Sequence, residues 1–159
     1  MQITIRKTEV QDIPSILVLI QEFVAHENLS AFLEISEKGL FEAMFGKDSF
    51  VSGLIAFDSE TPVAYALFYP TFSSFRGQKS VYLEDIFITK EYRNHGIGNN
   101  LLREIAIAGK KMGAVRMDFQ VLKSNESAIA FYKKHGALID EEERHFKFVD
   151  TAFTNLLKK

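Results

Sequence analysis

Residues 80–112 run Ser-Val-Tyr-Leu-Glu-Asp-Ile-Phe-Ile-Thr-Lys-Glu-Tyr-Arg-Asn-His-Gly-Ile-Gly-Asn-Asn-Leu-Leu-Arg-Glu-Ile-Ala-Ile-Ala-Gly-Lys-Lys-Met. Val81 to Thr89 is rich in β-branched and aromatic residues and predicts a strand. Ile97, Leu101, Ile105, Ala108 and Met112 recur at helical spacing, so strand passes to helix across Arg93 to Gly98. A glycine-punctuated turn that opens a helix leaves several backbone N–H groups unpaired, and the helix dipole adds positive potential at the same end. Such a turn suits a phosphate. Gly96 and Gly98 let the main chain approach a ligand closely, and Arg93 and His95 add donors. The pattern lacks the third glycine of a dinucleotide fingerprint and the Gly-Lys-Ser/Thr of a P-loop.

Arg-x-x-Gly-x-Gly between a strand and a helix resembles the acetyl-CoA pyrophosphate loop of the GNAT acetyltransferase superfamily. Downstream, Asn125-Glu-Ser-Ala-Ile-Ala-Phe-Tyr-Lys-Lys-His-Gly136-Ala137 is similar to that superfamily's Asn-x-x-Ala-x-x-Phe-Tyr-x-x-x-Gly segment. Within it, Tyr-Leu-Glu-Asp-Ile-Phe-Ile followed by Glu-Tyr-Arg-Asn-His-Gly-Ile-Gly is most similar to the spermidine/spermine (diamine) N-acetyltransferase branch. The likeness extends more weakly along the chain, through Glu-Lys-Gly-Leu-Phe-Glu-Ala-Met-Phe-Gly at 37–46.

The 159 residues are 47% hydrophobic, enough for one domain spanning 1–159 with its own core. A net charge of −2 offers no basic field for nucleic acid or an anionic membrane, whereas a small cation is readily accommodated. The absence of cysteine excludes disulfides, thiolate metal sites and a cysteine nucleophile, and fits a cytoplasmic protein. No apolar run approaches the roughly 18 residues of a membrane span, and the N-terminus is too soon polar for a signal peptide. Most of the fifteen phenylalanines are expected to fill the core.

Gln2 to Arg6 alternates as an opening strand. Thr8 and Gln11 have capping-box spacing before a helix striped by Ile13, Ile16, Leu17, Ile20 and Phe23, running to about Ala25. Ser36 opens a second helix, which Gly46 closes. Phe50–Phe57 and Val63–Phe72 predict a hairpin of two strands, and 71–78 a loop. Val115–Val121 predicts the fifth strand, Asn125 the cap of another helix, and Ala137–Ile139 and His145–Val149 two short strands. Asp140 to Glu143 is a solvated acidic loop, and 150–157 a terminal helical turn or two. Hairpins first and helices later give an α/β fold with helices on both faces of a mixed, mostly antiparallel sheet. The resemblance implies a splay between the fourth and fifth strands that admits the pantetheine arm.

Acyl transfer to an amine needs a neutral nucleophile, a polarised carbonyl and a proton for the departing thiolate. An aliphatic ammonium has a pKa of about 10.4, so roughly one molecule in a thousand is nucleophilic at neutral pH, and a carboxylate relaying a proton raises that fraction. Glu84, with Asp85 second, is the candidate; as strand neighbours they are expected on opposite sides of the sheet. An ion pair within the sheet is the alternative for Glu84. The resemblance puts Glu84 on the substrate side and makes Tyr132 the general acid, against simple ring packing. It also gives Asn125, otherwise only a helix cap, a cofactor contact. Backbone N–H groups of Ile86, Phe87 and Ile88 would polarise the carbonyl. Arg93, Asn94, Gly96, Ile97, Gly98 and Asn99 would line the pyrophosphate turn, with Lys134 reaching from the next helix. His95 reads equally as a loop residue or a phosphate ligand. Glu27, Glu84, Asp85, Asp118 and Glu141 are the candidate acidic lining for a polyamine, diamine or lysine analogue. A protein or peptide amine, or a non-catalytic acetyl-CoA sensor, stands as the alternative. No metal cluster or nucleophilic triad is evident, so direct attack in a ternary complex is expected. The family further implies a homodimer.

Overall fold

In the computed structural model, which describes residues 1–158, five strands lie side by side in chain order. They are β1 (Ile3–Lys7), β2 (Ser52–Asp58), β3 (Thr61–Ser73), β4 (Gln78–Ile88) and β5 (Ala114–Phe119). Neighbours pair antiparallel from β1 to β4, and β5 pairs parallel with β4. The parallel step follows from a helical crossover, α3 (Ile97–Lys111), since parallel strands cannot be joined by a tight turn. Helices α1 (Ile13–His26) and α2 (Glu37–Phe45) complete the unit that spans Met1–Gln120.

The sheet has a hydrophobic core on each face. On one, Ile13, Ile16, Leu19 and Ile20 of α1 and Leu40 and Met44 of α2 meet Ile55, Tyr65, Leu67 and Phe87. On the other, Ile97, Leu101 and Ile105 of α3 meet Leu54, Ala56, Ala64, Ala66, Phe68, Val81 and Leu83. Each of the larger of these side chains, Val, Leu, Ile, Phe and Met, stabilises the fold by roughly 1.5–3 kcal/mol on burial. A small residue on α3 lets the helix come close to the sheet: a Cβ at Gly109 would lie 2.8 Å from Val81 Cγ2 on β4.

Several boundaries differ from the sequence expectation. Thr8 does not cap α1; its hydroxyl donates to Gly53 O, while Asp12 Oδ2 accepts the Glu9 N–H at 2.7 Å. Buried Asp12 is also held by Arg6 through two bonds of 2.6 and 2.8 Å, so a charged network fixes the start of α1. The loop expected over 71–78 shrinks to 74–77, because Thr71–Ser73 pair with 78–80 and prolong the hairpin. Ser36 does cap α2, accepting from Gly39 N.

From Val121 onward the chain forms a second unit with α4 (Glu126–Lys134) and α5 (Asp150–Asn155). Ala137–Ile139 and His145–Val149, expected as strands, belong to no helix or strand. Alternation supplies only propensity, and a strand also needs a ladder partner; Leu138, Phe146 and Phe148 accordingly lie exposed. None of the described helices is long and apolar enough to cross a membrane.

Candidate active site

Strand β4 changes phase at one residue. Leu83 pairs with Phe68 and Asp85 with Leu67, leaving Glu84 as the extra residue of a β-bulge. Val81 and Leu83 therefore face α3, whereas Phe87, also odd-numbered, faces α1. The bulge corrects the expectation that Glu84 and Asp85 point to opposite sides. Both face the α1 side, where Tyr69 donates to Glu84 Oε2 at 2.9 Å and Tyr65 to Asp85 Oδ2 at 3.3 Å.

The two carboxylates have different surroundings. Glu84 is exposed, whereas Asp85 is half-buried. Burial, followed by the nearby charge of Glu84, pushes the Asp85 carboxyl up to about 6, with the Tyr65 bond acting in the opposite direction. Burial also raises the Tyr65 and Tyr69 phenols, and the adjacent carboxylates raise them further, so both remain protonated donors at neutral pH.

Beyond the bulge, β4 loses its neighbour. The β4–β5 ladder ends at Leu83–Phe119, yet β4 continues to Ile88. Thr89 N–H donates to Val63 O at 3.0 Å, and alternation in the ladder directs the backbone groups of Phe87 toward β3 as well. Those of Ile86 and Ile88 point to the open side. Of the three amides expected to polarise a carbonyl, Phe87 is thus engaged in the sheet, while those of Ile86 and Ile88 face away from β3. The Arg93 side chain does not extend along the turn. Its Nε donates to Ile88 O at 2.9 Å, Nη1 lies 3.2 Å from His26 Nε2, and the guanidinium stacks over Phe87.

Asn94 and Gly96 both have positive φ, 64° and 79°, which turns the chain sharply into α3. Nothing lies within 4 Å of where a Gly96 Cβ would be, so this face of the turn is open. The N–H groups of Ile97, Gly98 and Asn99 stand in the first turn of α3, where helix geometry gives them no internal acceptor. That turn carries no acidic side chain, and Lys110 and Lys111 sit in the last one. The positive end of the dipole is left without an acidic side chain, as an anion site requires. His95 is exposed in the same turn.

Glu27 is half-buried at the end of α1. Asp118 on β5 accepts from Arg116 Nε at 2.9 Å. In the second unit, Asn125 Oδ1 caps α4 by accepting from Ala128 N at 3.0 Å, Tyr132 is buried, and Lys134 is exposed in the last turn of that helix. Glu141 is exposed in the acidic loop, where Asp140 Oδ1 accepts from the Glu142 and Glu143 amides. Among the described residues no cluster of three metal-ligating side chains occurs.

The family described as "Acetyltransferase (GNAT) family" matches residues 20–137, which include the bulge, the open strand end and the glycine turn. The chain belongs to the GNAT acetyltransferase family. As a GNAT N-acetyltransferase it is 33% identical to a Bos taurus thialysine N-epsilon-acetyltransferase, over 99% of this chain and 98% of that protein. It is 34% identical to a Homo sapiens spermidine/spermine N(1)-acetyltransferase-like protein 1, over 84% of this chain and 20% of that one. A solved Vibrio cholerae integron cassette protein shares the fold at 21% identity, with a TM-score of 0.82 over 100% of this chain and 99% of that one.

In this GNAT chain, sequence reasoning missed Tyr65 and Tyr69. The available signal was their spacing: two tyrosines four apart in an apolar strand share a face. Only the register of β4 shows that the acidic pair lies on that face too.

Proposed function

We propose that this GNAT acetyltransferase transfers the acetyl group of acetyl-CoA to a primary amine of a small cationic acceptor, a polyamine, diamine or lysine analogue. Attack occurs directly within a ternary complex, and residues 1–159 act as one acetyltransferase domain. The observation that carries this reading is the bulge, which puts two carboxylates on one face immediately before the open end of β4. Two adjacent negative groups attract an ammonium, and the exposed one, Glu84, relays its proton through water toward solvent. The relatives named for thialysine and spermidine/spermine acetylation support an acceptor of this kind.

The Gly96 turn and the first amides of α3 hold the pyrophosphate, with Asn125 and Lys134 as further cofactor contacts. Its open face and dipole without an acidic neighbour fit an anionic group. Ile86 and Ile88 N–H groups polarise the thioester carbonyl as negative charge develops on its oxygen. Tyr132 gives its phenol proton to the departing thiolate. Glu27, Asp118 and Glu141 complete the acidic lining. The protein works as a cytoplasmic homodimer, and light scattering at micromolar concentration tests the dimer: the mass of one 18.1 kDa chain refutes it.

The deciding experiment incubates the protein with acetyl-CoA and a panel of polyamines, diamines, lysine analogues and peptides, following free thiol. Turnover with the small amines is expected. Turnover confined to peptides identifies a protein acceptor instead, and acetyl-CoA binding without turnover on any amine identifies a sensor.

A further inference from the structure

Two side chains of β3 that carry no role in the reaction above hydrogen-bond to the carboxylates of the acidic pair. Tyr65 and Tyr69 lie four apart on β3 and therefore on one face, and the bulge brings Asp85 and Glu84 to the same face. Each hydroxyl donates to one carboxylate oxygen, Asp85 Oδ2 and Glu84 Oε2. The second oxygens, Asp85 Oδ1 and Glu84 Oε1, accept nothing from the described residues. Neither tyrosine is free to swing. Tyr65 is fully buried and packs against Phe87, while Tyr69 stacks on Tyr82 at 5.3 Å and takes the edge of Phe50 at 5.8 Å. A hydroxyl on a ring held in this way fixes the rotamer of the carboxylate it touches.

We propose that Tyr65 and Tyr69 are positioning residues of the acetyltransferase, orienting Asp85 and Glu84 so that each presents one oxygen to the cationic acceptor. The inference rests on the acceptor site described above. Without the hydroxyls, two like-charged neighbours on a strand turn away from one another, and the acceptor meets one charge at a time. The titratable and charged groups about Asp85 are Glu84, Tyr65, Tyr69 and Tyr82 on the sheet, His26 from α1, and Arg93 over Phe87. Among these, Tyr65 favours the ionised carboxyl of Asp85 and Glu84 disfavours it.

The test pairs Tyr65→Phe with Asp85→Asn and Tyr69→Phe with Glu84→Gln, singly and doubly, with kcat/KM for the best amine taken from pH 5.5 to 9. If a tyrosine acts through its carboxylate, the double variant is no slower than the carboxylate variant alone. Losses that multiply overturn the proposal, since they mean each ring matters independently. Tyr65→Phe should also move the acid limb upward. A rise of half a unit to one unit from about 6 lowers the ionised fraction at pH 6 by roughly two- to fivefold and changes little at pH 8.5. Should Tyr65→Phe unfold, the half-exposed Tyr69 pair carries the test alone. Carboxyl-carbon NMR titration of Asp85 in the acceptor-free protein separates the two readings. An upward shift in Tyr65→Phe with acceptor kinetics indifferent to Asp85→Asn keeps the positioning and refutes the acceptor site; no shift refutes the positioning.

Discussion

Gly96 lies at φ 79° and ψ −1° as the residue before α3, and a Cβ there would touch nothing within 4 Å. Replacing it therefore costs backbone strain and no steric clash within the protein. An L-residue in the left-handed region loses about 1–2 kcal/mol, and a β-branched one sits at the upper end. Unfolding entropy of about 2.1 cal/mol/K per residue gives roughly 0.33 kcal/mol/K for 159 residues. Gly96→Val should then lower Tm by about 6 °C, measured by calorimetry. Asparagine tolerates this backbone conformation, so Gly96→Asn should lose less than about half of that. Both variants nevertheless place a side chain on the open face where the pyrophosphate is proposed to lie. Isothermal titration should show acetyl-CoA binding at least about tenfold weaker in both, which is about 1.4 kcal/mol. A Gly96→Val Tm within a degree of wild type refutes the strain argument. A folded Gly96→Asn protein with wild-type acetyl-CoA affinity removes the turn from the cofactor site.

Tyr132→Phe should lower kcat by roughly ten- to a thousandfold at unchanged acetyl-CoA affinity, checked by single-turnover kinetics. Glu27→Gln should raise KM for a diamine by roughly ten- to a hundredfold, the loss of one charge-assisted contact, and initial-rate kinetics across pH 6–9 measure it. Glu84→Gln should depress kcat as well and alter the alkaline dependence of the rate, since the proton relay is gone. Asp12→Asn should destabilise the fold at pH 7 by about 2 kcal/mol in urea titration. The Arg6 bonds hold the Asp12 carboxyl below its ordinary range. Its contribution is therefore present above an unfolded pKa of about 3.9 and disappears as pH falls through the lower folded value. The gap between wild type and variant should narrow progressively as pH falls below about 4, and a gap that stays constant as the pH falls contradicts the ion-pair account.

The strand–turn–helix junction at 80–112 was legible because β-propensity, glycine placement and helical period agree there. Ser36 and Asn125 were legible as caps for a similar reason, since a cap bond spans three residues and is written locally. The bulge was not. Whether Glu84 is paired depends on the register against Phe68 and Leu67, some sixteen residues away in sequence. The facing of Asp85, the partnership with Tyr65 and Tyr69, and the engagement of the Phe87 amide all follow from that one decision. Arg93 shows the same limit: its place in the motif suggested a phosphate, while its partners, Ile88 O and His26, come from a strand and a distant helix. At Thr8, two local options compete, and packing against Gly53 decides between them.

The extra residue in β4 works as a frameshift between two cores. Ahead of it, odd positions feed the α3 core; after it, the α1 core takes the odd positions and the even ones, Ile86 and Ile88, serve α3. Substituting Glu84 edits one side chain, whereas deleting it would leave an unbroken ladder with Leu83 still opposite Phe68 and Asp85 still opposite Leu67. Asp85, Ile86, Phe87 and Ile88 would keep their present partners and faces, and what would go is the second carboxylate on the α1 side together with the local twist that a bulge adds. Two carboxylates adjacent in sequence share a face only because of that extra residue, so the doubled negative charge at the strand end is a product of the length of β4.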